Sequence, residues 1–162
     1  MKSTDVLNMM DSKHALFGLF LAFYNRLQTA GDTFYEEITC KQFFLMACMS
    51  LFRDTPPTAN DLAKVMGCSR QNVKEILTSL EKKGFVTLVP CESDKRKRIV
   101  VLTKKAEQTA DKYREKETEF LDRFFDGSTD EERRSTYCFL TKLEDNLKLI
   151  IEESKNESYC NI

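Results

Sequence analysis

Apolar side chains recur at helical spacing from residue 12 to residue 30, at Leu16, Leu19, Phe20, Phe23, Tyr24 and Leu27. That period predicts an amphipathic helix ending near Gly31. Thr39 followed by Gln42 is a capping box that opens a second helix, with Phe43, Phe44, Met46, Ala47, Leu51 and Phe52 along it. This helix is apolar almost all round, which puts it at the centre of the core. Pro56-Pro57 are expected to stop it and force an extended link. Thr58 caps a short third helix, with Asp61 in the first turn where the helix dipole favours a carboxylate. Its inner face is predicted as Leu62, Ala63, Val65 and Met66. Ser69 caps a fourth helix with inner residues Val73, Ile76, Leu77 and Leu80, and Gly84 ends it after Lys82-Lys83.

Beyond Gly84 the helical period is lost. Phe85–Val89 and Ile99–Leu102 are short β-branched and aromatic runs, read as paired strands around the charged loop Cys91–Arg98. Thr103 caps a long helix from Lys104 to about Phe125, with Ala106, Ala110, Tyr113, Phe120, Leu121 and Phe124 among its apolar positions. Gly127 breaks it, and Thr129 with Glu132 forms a further capping box. The last helix carries Leu140, Leu143, Leu147, Ile150 and Ile151, and the polar stretch from Ser154 is expected to fray. There is no internal repeat or low-complexity segment. The first helix and the last two hold more apolar surface than a small core can cover, so a second copy of the chain is expected to cover it, terminal helices interlocking.

Composition narrows the class. The chain has 162 residues, 41% hydrophobic and 31% charged, the mark of one compact globular domain, or one domain with helical extensions, and not of a disordered chain. It has no apolar run long enough for a membrane span. A secretion signal is not expected, because Ala15–Phe23 is followed by bulky Tyr24-Asn25-Arg26 and not by a small-residue cleavage site. The six cysteines, Cys40, Cys48, Cys68, Cys91, Cys138 and Cys160, form no C-x-x-C pair, and His14 is the single histidine. Zinc-site spacing is therefore absent, no cofactor is expected, and the cysteines read as reduced thiols of a cytoplasmic protein. No nucleophile–base motif, metal-ligand cluster or phosphate loop points to an enzyme.

Net charge is −1, which alone speaks against a nucleic-acid partner. The distribution speaks for one: residues 1–57 carry −1, residues 58–105 carry +6 and residues 106–162 carry −6. A basic middle between acidic ends confines the electrostatic footprint to one face. That middle is the stretch read as helix, turn, helix and hairpin, with Lys95-Arg96-Lys97-Arg98 at the hairpin tip. The order fits a winged helix-turn-helix, which puts one helix into the major groove of duplex DNA and a hairpin along the flanking backbone. The expected fold is mainly α with a small β-hairpin. Residues 36–103 form the winged helix-turn-helix DNA-binding region, 1–35 and 104–155 the helical dimerisation region, and 156–162 a flexible tail.

Three pieces of the chain resemble the MarR family of bacterial transcription regulators. They are Leu62-Ala63 through Gly67 and Ser69 to Val73, Leu77, Leu80-Glu81 and Gly84-Phe85-Val86; the wing pattern Asp94-x-Arg96-x-x-x-Val100-x-Leu102-Thr103; and the flanking helices. The resemblance covers roughly residues 12–152. It implies a homodimer with two winged-helix lobes on a shared helical base, binding a near-palindromic operator and in most members repressing transcription. It also implies release by a small aromatic or phenolic effector, or by cysteine oxidation. Asp94 would brace the wing by pairing with a basic residue, and Arg96 would reach into the minor groove.

Weighed one by one, Ser69, Arg70, Gln71, Asn72 and Lys74 open the recognition helix. Arg suits guanine, Gln and Asn suit adenine, and Ser69 with the helix-start amides suits phosphate. The competing reading is a solvated first turn. Lys95, Arg96, Lys97 and Arg98 suit backbone and minor groove, against the reading of a solubilising loop. If strand alternation persists into the tip, Lys97 or Lys95 is idle. Thr58 and Lys64 are placed to touch phosphate, with Thr58 equally explained as a cap, while Lys82, Lys83, Lys104 and Lys105 supply field and helix-end charge. His14, Phe17, Tyr24, Phe44 and Arg53 are the candidates to line an effector cavity, against the reading of plain core. Cys40, at a helix start, and Cys68, beside the recognition helix, are the redox candidates, with a structural thiol as the alternative. The alternatives to a DNA-binding repressor are a winged-helix protein-interaction module and a thiol-based redox-responsive regulator.

Overall fold

The computed structural model describes residues 10–53, 55–91 and 94–160. Residues 1–9 of the expected helical region, 92–93 of the wing loop and 161–162 of the tail lie outside them. The described elements run α1 Ser12–Asp32, α2 Cys40–Met49, α3 Ala59–Met66, α4 Arg70–Lys82, β1 Val86–Pro90, β2 Arg98–Leu102, α5 Lys104–Phe124 and α6 Asp130–Cys160. This is the mainly helical, single-hairpin class that the residue pattern predicts. The chain divides into two compact units, Met1–Lys116 and Glu117–Ile162.

In the first unit, Asp11 caps α1 by accepting the Lys13 and His14 amide hydrogens at 3.0 and 3.4 Å. The helix ends near Gly31 as expected, at Asp32 with Thr33 as its cap, although Gly31 itself is not the cap. Gly31 is there for contact. A Cβ on it would lie 2.5 Å from Cys40 Sγ and 2.7 Å from Cys40 Cβ, so the missing side chain lets the end of α1 approach the start of α2. The Thr39–Gln42 capping box of α2 is complete. This helix stops at Met49, well before the proline pair, because Ser50, Leu51 and Phe52 turn back to Ala47, Cys48 and Met49 carbonyls in tight i+3 bonds. Its burial is one-sided. Leu45, Met46, Cys48 and Met49 are buried, while Phe44 and Leu51 face out.

The core joins Leu45 of α2, Leu62 of α3, Val73, Leu77 and Leu80 of α4, and Phe85, Val86 and Val100 around the hairpin. Each such side chain contributes about 1.5–3 kcal/mol on burial. The predicted inner faces of α3 and α4 hold at Leu62, Ala63, Val73, Leu77 and Leu80. Val65 is exposed and Met66 and Ile76 are half-buried, because these helices rest on the core along one narrow stripe. The strands pair antiparallel from Val86 opposite Leu102 to Pro90 opposite Arg98. Val86, Leu88, Val100 and Leu102 therefore share the inner face.

Three bonds fix the hairpin. The Val100 amide donates to Pro57 O at 2.8 Å, with a bridge between Thr58 and Ile99. The Leu88 amide donates to Glu81 Oε1 at 3.3 Å. Thr103 caps α5 and also donates its hydroxyl to Gly84 O at 2.7 Å. On α5 the buried positions are Ala106, Thr109 and Tyr113, so Ala110 is exposed one place off the predicted stripe. The Tyr113 hydroxyl accepts the Glu36 amide hydrogen at 3.0 Å, and its ring meets Tyr35 edge-on with centroids 5.1 Å apart.

In the second unit the Phe120 and Phe124 rings stack at 6.0 Å, Gly127 takes a left-handed φ of 73°, and Thr129 with Glu132 forms the predicted capping box. The last helix passes Ser154 and runs to Cys160. Loss of apolar period does not end a helix, since extending one costs little once it is nucleated. Tyr137, Leu140, Leu147, Ile150 and Ile151 are all exposed along it.

Alanine is a better helix former than glycine by about 1 kcal/mol, yet Gly31→Ala is expected to lower the melting temperature, because overpacking costs about 1–3 kcal/mol. Cys40→Gly in the same chain should remove the loss, since both clashing atoms are on Cys40. Thermal denaturation of the four chains checks this, and an unchanged or higher melting temperature for Gly31→Ala alone would refute the close-approach account.

Candidate nucleic-acid interface

The turn before α4 depends on Gly67, which takes a left-handed φ of 63° while the Cys68 amide reaches back to Ala63 O at 3.1 Å. Ser69 then caps α4 by accepting the Asn72 amide hydrogen at 3.1 Å. With Val73, Leu77 and Leu80 buried, the helical period turns Gln71, Glu75, Thr78 and Lys82 outward. Arg70, Lys74 and Thr78 border a groove of about 820 Å³ whose far wall is the wing. Thr58, Asn60, Asp61 and Lys64 of the α3 start and Arg96, Lys97 and Arg98 of the hairpin complete that lining.

The lining therefore gathers six cations, Lys64, Arg70, Lys74, Arg96, Lys97 and Arg98, from three segments. Among the described residues its one acid, Asp61, is occupied. Asp61 Oδ2 accepts from the Thr58 amide at 3.0 Å and the Thr58 hydroxyl at 2.7 Å. Those two bonds hold its carboxyl below the usual aspartate value, with Lys64 and Lys97 adding a smaller pull. Asp94 shapes the wing tip. Its Oδ1 accepts the Arg96 amide hydrogen at 3.1 Å, its carbonyl accepts the Lys97 amide hydrogen at 2.9 Å, and the Lys97 ammonium lies 3.8 Å from its Oδ2.

The ten DNA-contact candidates thus separate by position. Arg70, Lys74, Arg96, Lys97 and Arg98 share the groove. Gln71 lies on the far side of α4, beside Glu75. Lys97 lines the groove and Lys95 is not among its lining residues. Ser69 and Thr58 act as caps, and the Thr58 hydroxyl hydrogen is committed to Asp61. Asn72 sits half-buried on the flank of the helix, its Oδ1 shielded and without a hydrogen-bond partner.

The remaining candidates lie outside the lining of that groove. His14 pairs with Asp11 at the start of α1, and His14, Phe17, Tyr24, Phe44 and Arg53 are exposed in the single chain. The Cys40 thiol is pushed up by burial and then by the Asp32 carboxylate, whose Oδ1 accepts the Cys40 amide hydrogen at 2.7 Å. An acid at that helix start opposes the dipole's pull toward thiolate. Burial, then Cys68, pushes the Cys48 thiol up. Among the described side chains Cys40, Cys48, Cys68 and Cys138 are free thiols.

Two lysines read from sequence as diffuse charge are fastened. Lys83 Nζ donates to Glu37 O at 2.8 Å and to Gln42 Oε1 at 3.0 Å. Lys105 Nζ lies 2.7 Å from Glu37 Oε2 and 4.4 Å from the centre of the Phe85 ring. Nothing in the local sequence signals these links, because their partners are distant along the chain. Asn60 and Thr78, absent from the sequence candidates, line the groove simply as exposed neighbours one helical turn from named ones.

Residues 38–97 match the MarR family. The transcriptional activatory protein BadR of Rhodopseudomonas palustris is 33% identical over 108 residues, 60% of this chain and 59% of that protein. The chain thus spans about three fifths of the length of this curated relative. The S. aureus MepR–DNA complex is similar in fold, with a TM-score of 0.70 at 21% identity over 80% of this chain and 94% of that one. Bordetella bronchiseptica BpsR, whose DNA binding is described as regulated by 6-hydroxynicotinic acid, gives 0.69 at 18% identity over 79% and 91%. Among the described residues no helix is long and apolar enough to cross a membrane, and no cluster of His, Cys, Asp and Glu could hold a metal ion.

The Asp61 carboxyl has a pH consequence. Its folded value is depressed, so the capping box contributes fully above the ordinary aspartate value and is lost as pH falls through the lower folded one. Asp61→Ala is expected to melt lower than the parent at neutral pH, with the gap closing as pH falls below the ordinary aspartate value and through the lower folded one. A gap independent of pH in thermal melts would remove the charged cap from the account.

Proposed function

We propose that this chain is a MarR-family transcriptional regulator that binds duplex DNA sequence-specifically as a homodimer, a reading supported by the match of residues 38–97 to that family. One observation carries the reading. Six cations from the α3 start, α4 and the wing line one groove, and its one carboxylate is committed to a cap. A phosphate backbone following that groove would meet Lys64, Arg70 and Lys74 on one side and the hairpin arginines on the other. It would leave the outer face of α4 in the major groove and Arg96 beside the minor groove. Regulation of transcription, not catalysis, is the activity of the matched family.

Anisotropy of the protein on duplex DNA from its own upstream region, with scrambled DNA alongside, tests this. Binding should prefer the upstream duplex and weaken steeply with salt, and Arg96→Ala should reduce the salt slope by about one. Equal binding to both duplexes at every salt concentration would defeat the claim of specificity.

Dimerisation is supported by the apolar side chains left in solvent on α1 (Leu16, Phe17, Leu19, Phe23) and on α6 (Leu140, Leu147, Ile150, Ile151). Exposed apolar area of this kind marks an interface. Two copies would set recognition helices about 34 Å apart on a near-palindromic operator. We take repression as the output, since a dimer over a promoter excludes polymerase by its bulk. BadR is named an activator, so the sign is read from transcript level after deletion, with a rise supporting repression and a fall activation. A small aromatic acid is the proposed effector, with Phe17, Tyr24 and Phe44 as stacking surfaces and Arg53 and His14 as carboxylate partners. Release of DNA requires that it bind one lobe spacing better than the other. In sedimentation at micromolar concentration the parent should be a dimer and Leu147→Glu/Ile150→Glu a folded monomer with weakened operator binding. A monomeric parent would exclude the dimer.

A further inference from the structure

We propose that Glu75 is a base-reading residue of α4, accepting a hydrogen bond from the exocyclic amino group of a cytosine in the major groove of each half-site. The inference rests on α4 being the recognition helix, and it adds a specificity determinant that charge counting leaves out. Apart from Asp61, which is tied into the Thr58 cap, the other charged positions lining the groove or the outer face of α4 are cations that suit phosphate. Arg70 and Lys74 border the cationic groove, and Lys82 extends the same sign down the helix. Glu75 is exposed among them and is the acid of its surface, which Gln71, Lys74, Thr78, Ser79 and Lys82 share.

Its direction follows from the buried stripe. Val73 and Leu77 are buried, and Glu75 stands two residues from each, a rotation of about 200°. It therefore points away from the core, into the part of the helix surface that enters deepest when the two groove walls meet the backbone. Gln71 Nε2 donates to Glu75 Oε1 at 3.2 Å, which leaves Oε2 to accept a further bond. The described ion pairs include none to Glu75.

A carboxylate carried into a polyanion's groove is repelled unless it meets a donor. Among base edges in the major groove, the cytosine N4 amino group is the donor that Glu and Asp match. The same residue raises the cost of every base pair that presents an acceptor there, so it discriminates by repulsion as well as attraction. Asp61 offers no such contact, since its Oδ2 already serves the Thr58 cap. The competing account is that the Gln71–Glu75 pair only supports the helix, as i,i+4 pairs do on any exposed face. That account predicts no change in base preference when Glu75 is altered.

The experiment selects duplexes from a pool with a randomised core using the parent chain, Glu75→Gln and Glu75→Ala, then measures anisotropy on the selected duplex and its single-base variants. The parent should enrich cytosine at one fixed position in each half-site, with about tenfold weaker binding when it is replaced. Both variants should lose that preference while keeping the others, and Glu75→Ala should bind scrambled DNA more tightly than the parent does. Variants that select the same sequence as the parent, with all affinities changed by one common factor, would overturn the assignment to Glu75 and leave the DNA-binding reading standing. A folded parent that enriches no sequence would overturn that reading, and this inference with it.

Discussion

Burial of one stripe on a thirteen-residue helix governs the rest of this structure. Val73, Leu77 and Leu80 of α4 are sealed against Leu45, Leu62, Phe85 and Val100, and a helix held along one face has its opposite face fixed as well. The polar residues between those apolar ones are then directed outward without further instruction. A rotation of α4 by one residue would bury Lys74 and Glu81 at a cost of several kcal/mol, so packing and the direction of the polar face are one decision.

The wing is set by bonds rather than by bulk. Two strands alone are marginal, and this hairpin is held by Pro57 O on one edge, Glu81 on the other and Thr103 at its exit. Pro57 and Thr58 also begin α3, so the same residues fix the wing and the start of the helix-turn-helix. The cations of the groove thereby come from segments that share a rigid junction. Surface ion pairs such as Lys112–Glu36 and Lys105–Glu37 are worth little one at a time. Their importance is to seat residues 34–37 over Tyr113 and Phe85, where buried aromatic area carries the energy.

A net charge of −1 and a duplex-DNA partner are compatible because charge acts locally. At physiological salt the screening length is about 8 Å, shorter than the extent of any one helix here, so an anion in the groove would feel chiefly Lys64, Arg70, Lys74 and the wing cations. Within this positive surface Glu75 and Asp61 are the two acids whose treatment differs, one tied into a cap and the other presented on the outer face.

Much of this molecule could be read from residue order alone. Caps at Thr39, Thr58, Ser69, Thr103 and Thr129, left-handed turns at Gly67, Gly84 and Gly127, and the paired strands follow from local chemistry that acts within a few residues. The same is true of the basic hairpin tip and the apolar stripe of α4. Tertiary structure alone decided the rest. Gly31 proved to be a contact site with Cys40, α2 was buried on one side only, and Lys83 and Lys105 found partners some seventy or fewer residues away. It also separated Lys97 from Lys95 and turned Asn72 to the helix flank. Periodicity reports that a residue faces a neighbour, and it carries no information on which distant atom that neighbour will be, because long-range contacts are chosen by packing of whole elements and not by the local backbone.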